Sequence, residues 1–149
     1  MPKAKKTAAA KQNTGLRYAD KSEGQPQLVE VFDALLDRLK SYAKGSIVLK
    51  GGTGGQVSQV SEKQVVIEGR PKEELYFAGA LIQKGYVGFY YFPVYCHPPL
   101  AKQLKPELHK CLKGKSCFHI KAPDPLLLAQ IEEALAIGYR FYAERGWIN

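Results

Sequence analysis

Residues 74–95, ELYFAGALIQKGYVGFYYFPVY, form a long β-prone run that narrows the folds open to this chain. Strand-forming aliphatic and aromatic residues fill both halves, and Lys84-Gly85 sits between them with turn chemistry. The pattern predicts a hairpin, with one strand near 75–83 and a second running to about Phe92. Both faces of that hairpin are apolar or aromatic, so a period of two does not mark which one meets the core.

The flanking segments have a different period. Leu28, Val31, Phe32, Leu35, Leu36, Leu39 and Tyr42 recur every three or four residues and give a helix one apolar face. Pro26 suits its first turn, Lys40 and Lys44 its last, and Gly45 its stop. SIVLK (46–50) and QVVIEG (64–69) read as strands, with QVSQV (56–60) a third between them. After the hairpin, Leu100, Leu104, Leu108 and Leu112 step by four, but Pro106 removes a backbone donor and interrupts them. Two short helices are expected, one opening at Pro98 or Pro99 and one at Pro106, the second ending at Gly114. KSCFHIK (115–121) reads as a final strand. Asp124 then caps a long helix with Pro125 in its first turn and Leu127, Ile131, Leu135, Gly138 and Tyr142 as its inner stripe. Gly146 closes it, and Trp147 and Ile148 are expected to fold back on the last turn. The order is a helix, four or five strands, short helices, a strand and a helix. It predicts an α+β domain of two layers: a mainly antiparallel sheet with the N-terminal and C-terminal helices packed on one face.

Residues 1–24 have almost no large apolar side chains and no helical stripe, so they cannot offset their ordering entropy; they are expected to be a disordered basic tail preceding one domain over 25–149. The net charge of +8 is unevenly placed. The tail holds six lysines and arginines against two acids, and residues 101–121 hold six lysines against Glu107. Such clusters favour polyanions. No apolar run is long enough to cross a bilayer, and no secretory signal is legible at the N-terminus. Three cysteines suit free thiols in a reducing cytoplasm.

All the cysteines and histidines fall between positions 96 and 119. Cys96 and His97 point apart on an extended chain, and His109 and Cys111 diverge on a helix. Only Cys117 and His119 share a strand face, and two ligands fall short of what zinc needs. His97 is therefore expected near the start of a helix opened by Pro98 and Pro99. As a nucleophile, Cys117 would need its thiolate stabilised by Lys115 or Lys121. KGGTGGQ (50–56) lacks the Lys-Ser/Thr of a phosphate loop and reads as a turn between strands. KGYVGFYY (84–91) opens like an RNA-stacking signature but departs from it at Val87. Tyr86, Tyr90 and Phe92, with Lys115 of the lysine cluster, remain a candidate ligand surface on which unpaired bases would stack. Glu30, Asp33 and Asp37 lie on the wet side of the first helix. No serine-histidine-aspartate arrangement and no nucleophile elbow is legible, so an enzyme is not expected.

LYFAGALIQKGYVGFYYFPVY, LKGKSCFHIK and the terminal helix ending ERGWI resemble the YdhG-like family of small bacterial domains. The resemblance spans roughly residues 27–149, is strongest from Leu75 to Lys121, and has its most distinctive segment at Gly114–Cys117. It implies a compact two-layer α/β domain. For most members no activity is established, which implies a non-enzymatic cytoplasmic binding or accessory protein, monomeric or homodimeric, with no cofactor. Some members are described as frataxin-like iron chaperones serving iron–sulfur cluster and haem assembly proteins. That alternative would carry iron on Glu30, Asp33 and Asp37. Weak nucleic-acid binding through the tail and the lysine cluster is the third expectation.

Overall fold

The computed structural model describes residues 19–149. Helix α1 spans Pro26–Lys40, strands β1 and β2 span Ile47–Gly51 and Gln56–Ser61, and β3 and β4 span Val65–Ile67 and Arg70–Lys72. The hairpin strands β5 and β6 span Leu75–Gln83 and Tyr86–Tyr91. Helix α2 (Phe92–Cys96), a 3-10 helix (Pro98–Gln103) and α3 (Pro106–His109) lead to β7 (Leu112–Lys113), β8 (Cys117–Ile120) and α4 (Pro125–Glu144).

Six strands form one antiparallel sheet in the order β1-β2-β5-β6-β8-β7. Helix α1 packs on β5 and β6, and α4 packs beside it on the same face. The fold is thus the expected α+β arrangement of two layers. Val57, Ala80, Ile82, Val87, Phe89, Tyr91, Phe118 and Ile120 line the face under the helices and are buried. From above come Val31, Leu35 and Leu39 of α1 and Ile131, Leu135 and Tyr142 of α4. Each such large side chain removed from water contributes about 1.5–3 kcal/mol before conformational entropy is subtracted. The helix stripes are close to those expected, with differences: Leu36, Tyr42 and Leu127 are only half-buried, while Leu128, Ala134 and Phe141 join the core.

Local chemistry explains the element ends. Asp124 Oδ1 accepts the Leu126 N–H at 3.0 Å and caps α4. The Trp147 N–H donates to the Tyr142 carbonyl, the Trp147 ring meets Phe141 and Tyr142 edge-on, and Ile148 is buried, so the C-terminus folds back as expected. The glycine-rich stretch between β1 and β2 is a turn in which Gly51, Gly52, Gly54 and Gly55 all have φ between 68° and 114°, a backbone that side chains disfavour. In the centre of the sheet, Gln59 pairs with Ala78 and Val60 with Tyr76, leaving Phe77 as an extra residue. This bulge puts Phe77 on the helical side, where its ring meets Tyr142 at 5.3 Å, while Tyr76 points to the other side.

Three expectations need correction. QVVIEG does form a strand, but outside the main sheet: β2 pairs directly with β5 (Ser61 opposite Leu75), so β3 and β4 are looped out as a separate two-stranded ribbon. The second hairpin strand stops at Tyr91, and Phe92 opens α2 instead of ending the strand, because Pro93 has no N–H to continue the ladder. The helix from Pro106 ends at His109 rather than Gly114; Leu112-Lys113 pairs with β8, and Gly114, at φ 79°, serves the β7–β8 turn. Of the expected tail 1–24, residues 1–18 lie outside the described residues; Lys21 Nζ donates to Gln83 Oε1 at 3.0 Å, at the end of β5. Gln25 then donates to the Gln83 carbonyl and accepts the Gly85 N–H. Among the described residues no helix is long and apolar enough to cross a membrane.

Candidate functional site

Neither long helix covers the second face of the sheet. Strand alternation points Tyr86, Gly88 and Tyr90 of β6 to that face, with Tyr76, Gly79 and Gln83 of β5 on one flank and Cys117 and His119 of β8 on the other. The pairing register puts Gly88 opposite His119 and Gly79 opposite Tyr90. These glycines seat the rings. A Cβ at Gly88 would stand 3.0 Å from Tyr90 Cε2 and 3.3 Å from Cys117 Sγ, and one at Gly79 would overlap the Tyr76 hydroxyl. The tyrosines therefore lie down on the sheet where any other residue would lift them.

Next to this pair, Tyr86 and His119 stack with centroids 3.8 Å apart and planes 12° apart. At the far end, the Phe92 ring meets Tyr76 edge-on at 5.9 Å and stacks on Tyr95 at 5.0 Å. Tyr95 is 51% exposed, so the aromatic surface continues off the sheet onto α2. Tyr86, Tyr90, Phe92 and His119 are half-buried. Lys113 stands opposite Cys117 on the edge strand, Lys115 lies in the β7–β8 turn and Lys121 follows β8; all three are exposed.

The electrostatics follow from this placement. Desolvation, then Lys113 and Lys121, hold His119 below the ordinary imidazole value. Burial pushes the Tyr76 phenol well up, with Tyr90 and Cys117 adding to it. The Cys117 thiol is also pushed up by burial, partly offset by a hydrogen bond with Tyr90. A thiol raised in this way is poorly ionised and a weak nucleophile. Burial likewise raises Cys96 and Cys111.

His119 has a measurable consequence for stability. Its folded value lies below its unfolded value of about 6.5, so the unfolded chain binds the proton more readily. The stability it contributes is complete above that pH and is lost as pH falls through the folded value. Thermal unfolding of the wild type is expected to fall more steeply between neutral and mildly acidic pH than that of His119→Gln; parallel curves would refute this assignment.

The other sequence candidates are dispersed. Cys96 is half-buried beside Tyr142, and His97 stacks on Phe141 at 5.4 Å, next to the start of the 3-10 helix. Cys111 Sγ donates to the Glu107 carbonyl, and His109 is exposed. Glu30, Asp33 and Asp37 are exposed on α1, in the helical layer, and Asp37 lies 3.9 Å from the Arg38 guanidinium. Among the described residues no three or more histidine, cysteine, aspartate or glutamate side chains group as a metal site requires.

The sequence pattern left out Tyr76, Tyr95 and the Tyr86–His119 stack. Cross-strand neighbours depend on register, which alternation within one strand does not contain. The bulge at Phe77 also breaks the alternation that would have placed Tyr76. No protein-family model matches the chain, and no curated protein or solved structure matches it.

Proposed function

We propose that this chain is a non-enzymatic binding protein, of the YdhG-like type its sequence resembles, which takes its ligand on the open aromatic face of the sheet. The observation that carries this reading is the Tyr86–His119 ring stack beside Tyr90, a cluster of half-buried aromatic rings on the side opposite the long helices. Large aromatic surfaces left half-exposed favour ligands with flat faces of their own. Acid–base or thiol chemistry has little support in the same place: His119 faces Tyr86 and two lysines rather than a carboxylate, and the Cys117 thiol is pushed up. The free thiols Cys96, Cys111 and Cys117 suit a reducing compartment such as the cytoplasm.

An uncharged planar probe tests the face without help from charge. Adenosine at millimolar concentration should shift the backbone amide resonances of 86–91 and 117–120, and Tyr86→Leu should abolish those shifts. Shifts confined to α1 and α4, or no shifts at all, would remove this reading.

A further inference from the structure

The open face has a charge pattern as well as an aromatic one. Lys113 on β7 lies two strand spacings of roughly 4.8 Å from β6, Lys121 follows β8 one spacing away, and Lys115 lies in the turn between β7 and β8. The acids of α1 belong to the helical layer, on the other side of the sheet. A ligand lying flat on Tyr86 and Tyr90 would thus meet cations along one border. That border belongs to the 101–121 stretch with its six lysines and one acid.

Resting on the open-face reading, we propose that the ligand is a single-stranded nucleic acid, its bases stacked on Tyr86, Tyr90 and the Phe92–Tyr95 pair and its phosphates running along Lys113, Lys115 and Lys121. Planar rings spaced along a strand with cations beside them match a polymer of planar groups on an anionic backbone. A duplex hides the π faces of its bases, so half-exposed rings along a sheet face suit an unpaired strand. Tyr86 and Tyr90 are four residues apart, about 13 Å along β6. With Tyr95 added, the platform suits a footprint on the order of four to six nucleotides. The rings read stacking and not hydrogen-bonding edges, so little sequence preference is expected.

Fluorescence anisotropy of the full chain with labelled oligothymidine tests the proposal. Affinity should fall with added salt, and Lys113→Gln with Lys121→Gln should flatten the log–log salt slope by about 0.7 per lysine removed. Tyr86→Leu keeps an apolar side chain on the sheet without a π face; it should weaken binding about 5- to 150-fold, as should Tyr95→Ser at the exposed end. Circular dichroism of each variant confirms that it is folded. Duplex DNA or poly-glutamate competing as well as the single strand would overturn the proposal. If adenosine still shifts the face while oligothymidine binds no tighter and without salt dependence, the nucleic-acid inference fails and the open-face reading survives. If the oligonucleotide binds but Tyr86→Leu and Tyr95→Ser bind it equally well, both fail.

Discussion

Tyr91→Ala is expected to lower the unfolding free energy by about 3–5 kcal/mol, the cost of removing a large buried aromatic. Tyr91 is fully buried at the end of β6, stacks on Phe89 at 5.8 Å, meets Phe118 at 6.3 Å, and donates its hydroxyl proton to the Ala134 carbonyl of α4. One side chain thus fills the space between the layers and ties the sheet to the C-terminal helix. Burial pushes its phenol well up, so it stays a neutral donor across the working pH range. Tyr91→Phe keeps the ring and loses only the hydrogen bond, at about 1 kcal/mol. Urea denaturation followed by far-ultraviolet circular dichroism separates the two. Equal midpoints for wild type and Tyr91→Ala would show that the layers are held together elsewhere.

The second large effect is the mirror image of the first. Gly138→Ala should destabilise the protein even though alanine is the better helix former by about 1 kcal/mol. A Cβ at Gly138 would stand 2.7 Å from Pro93 Cγ, 2.8 Å from Tyr91 Oη and 3.0 Å from Tyr91 Cε1. Those atoms have little room to move, since Tyr91 is packed on every side and Pro93 is a buried ring. Overpacking of this kind costs about 1–3 kcal/mol, so the net loss is smaller for alanine and larger for Gly138→Val. A double-mutant cycle makes the argument specific. With Tyr91 already cut to alanine, Gly138→Ala should become neutral or stabilising, because the obstacle is gone and the helix propensity remains. A loss of the same size in both backgrounds would mean that Gly138 is needed for some other reason.

These two residues also show what a reader of the sequence can and cannot see. Gly138 was legible as part of the inner stripe of α4, since helical spacing depends only on positions within one segment. The β5–β6 hairpin and the Asp124 cap were legible on the same local grounds. What escaped depended on partners far along the chain. Leu112 fits the leucine step of a helix, and only the presence of β8 beside it draws Leu112-Lys113 into the sheet. Phe92 continues an aromatic alternation, but Pro93 ends the ladder one residue earlier. For the candidate site, Tyr86 and Tyr90 could be placed on one face by counting in twos, whereas the His119 partner of Tyr86 required knowing that β8 docks on β6 with Gly88 opposite His119.

The two-residue strand β7 has one more effect. It finishes one side of the sheet, and a border only two residues long offers almost no row of free peptide groups for another chain to extend. The opposite border, β1, carries the exposed Lys50 and runs out into paired glycines, which discourages docking there as well. With both margins blunted, a crowded solution of this protein should resist growth into fibrils through its native state, even though its central strands are among the most adhesive stretches it contains.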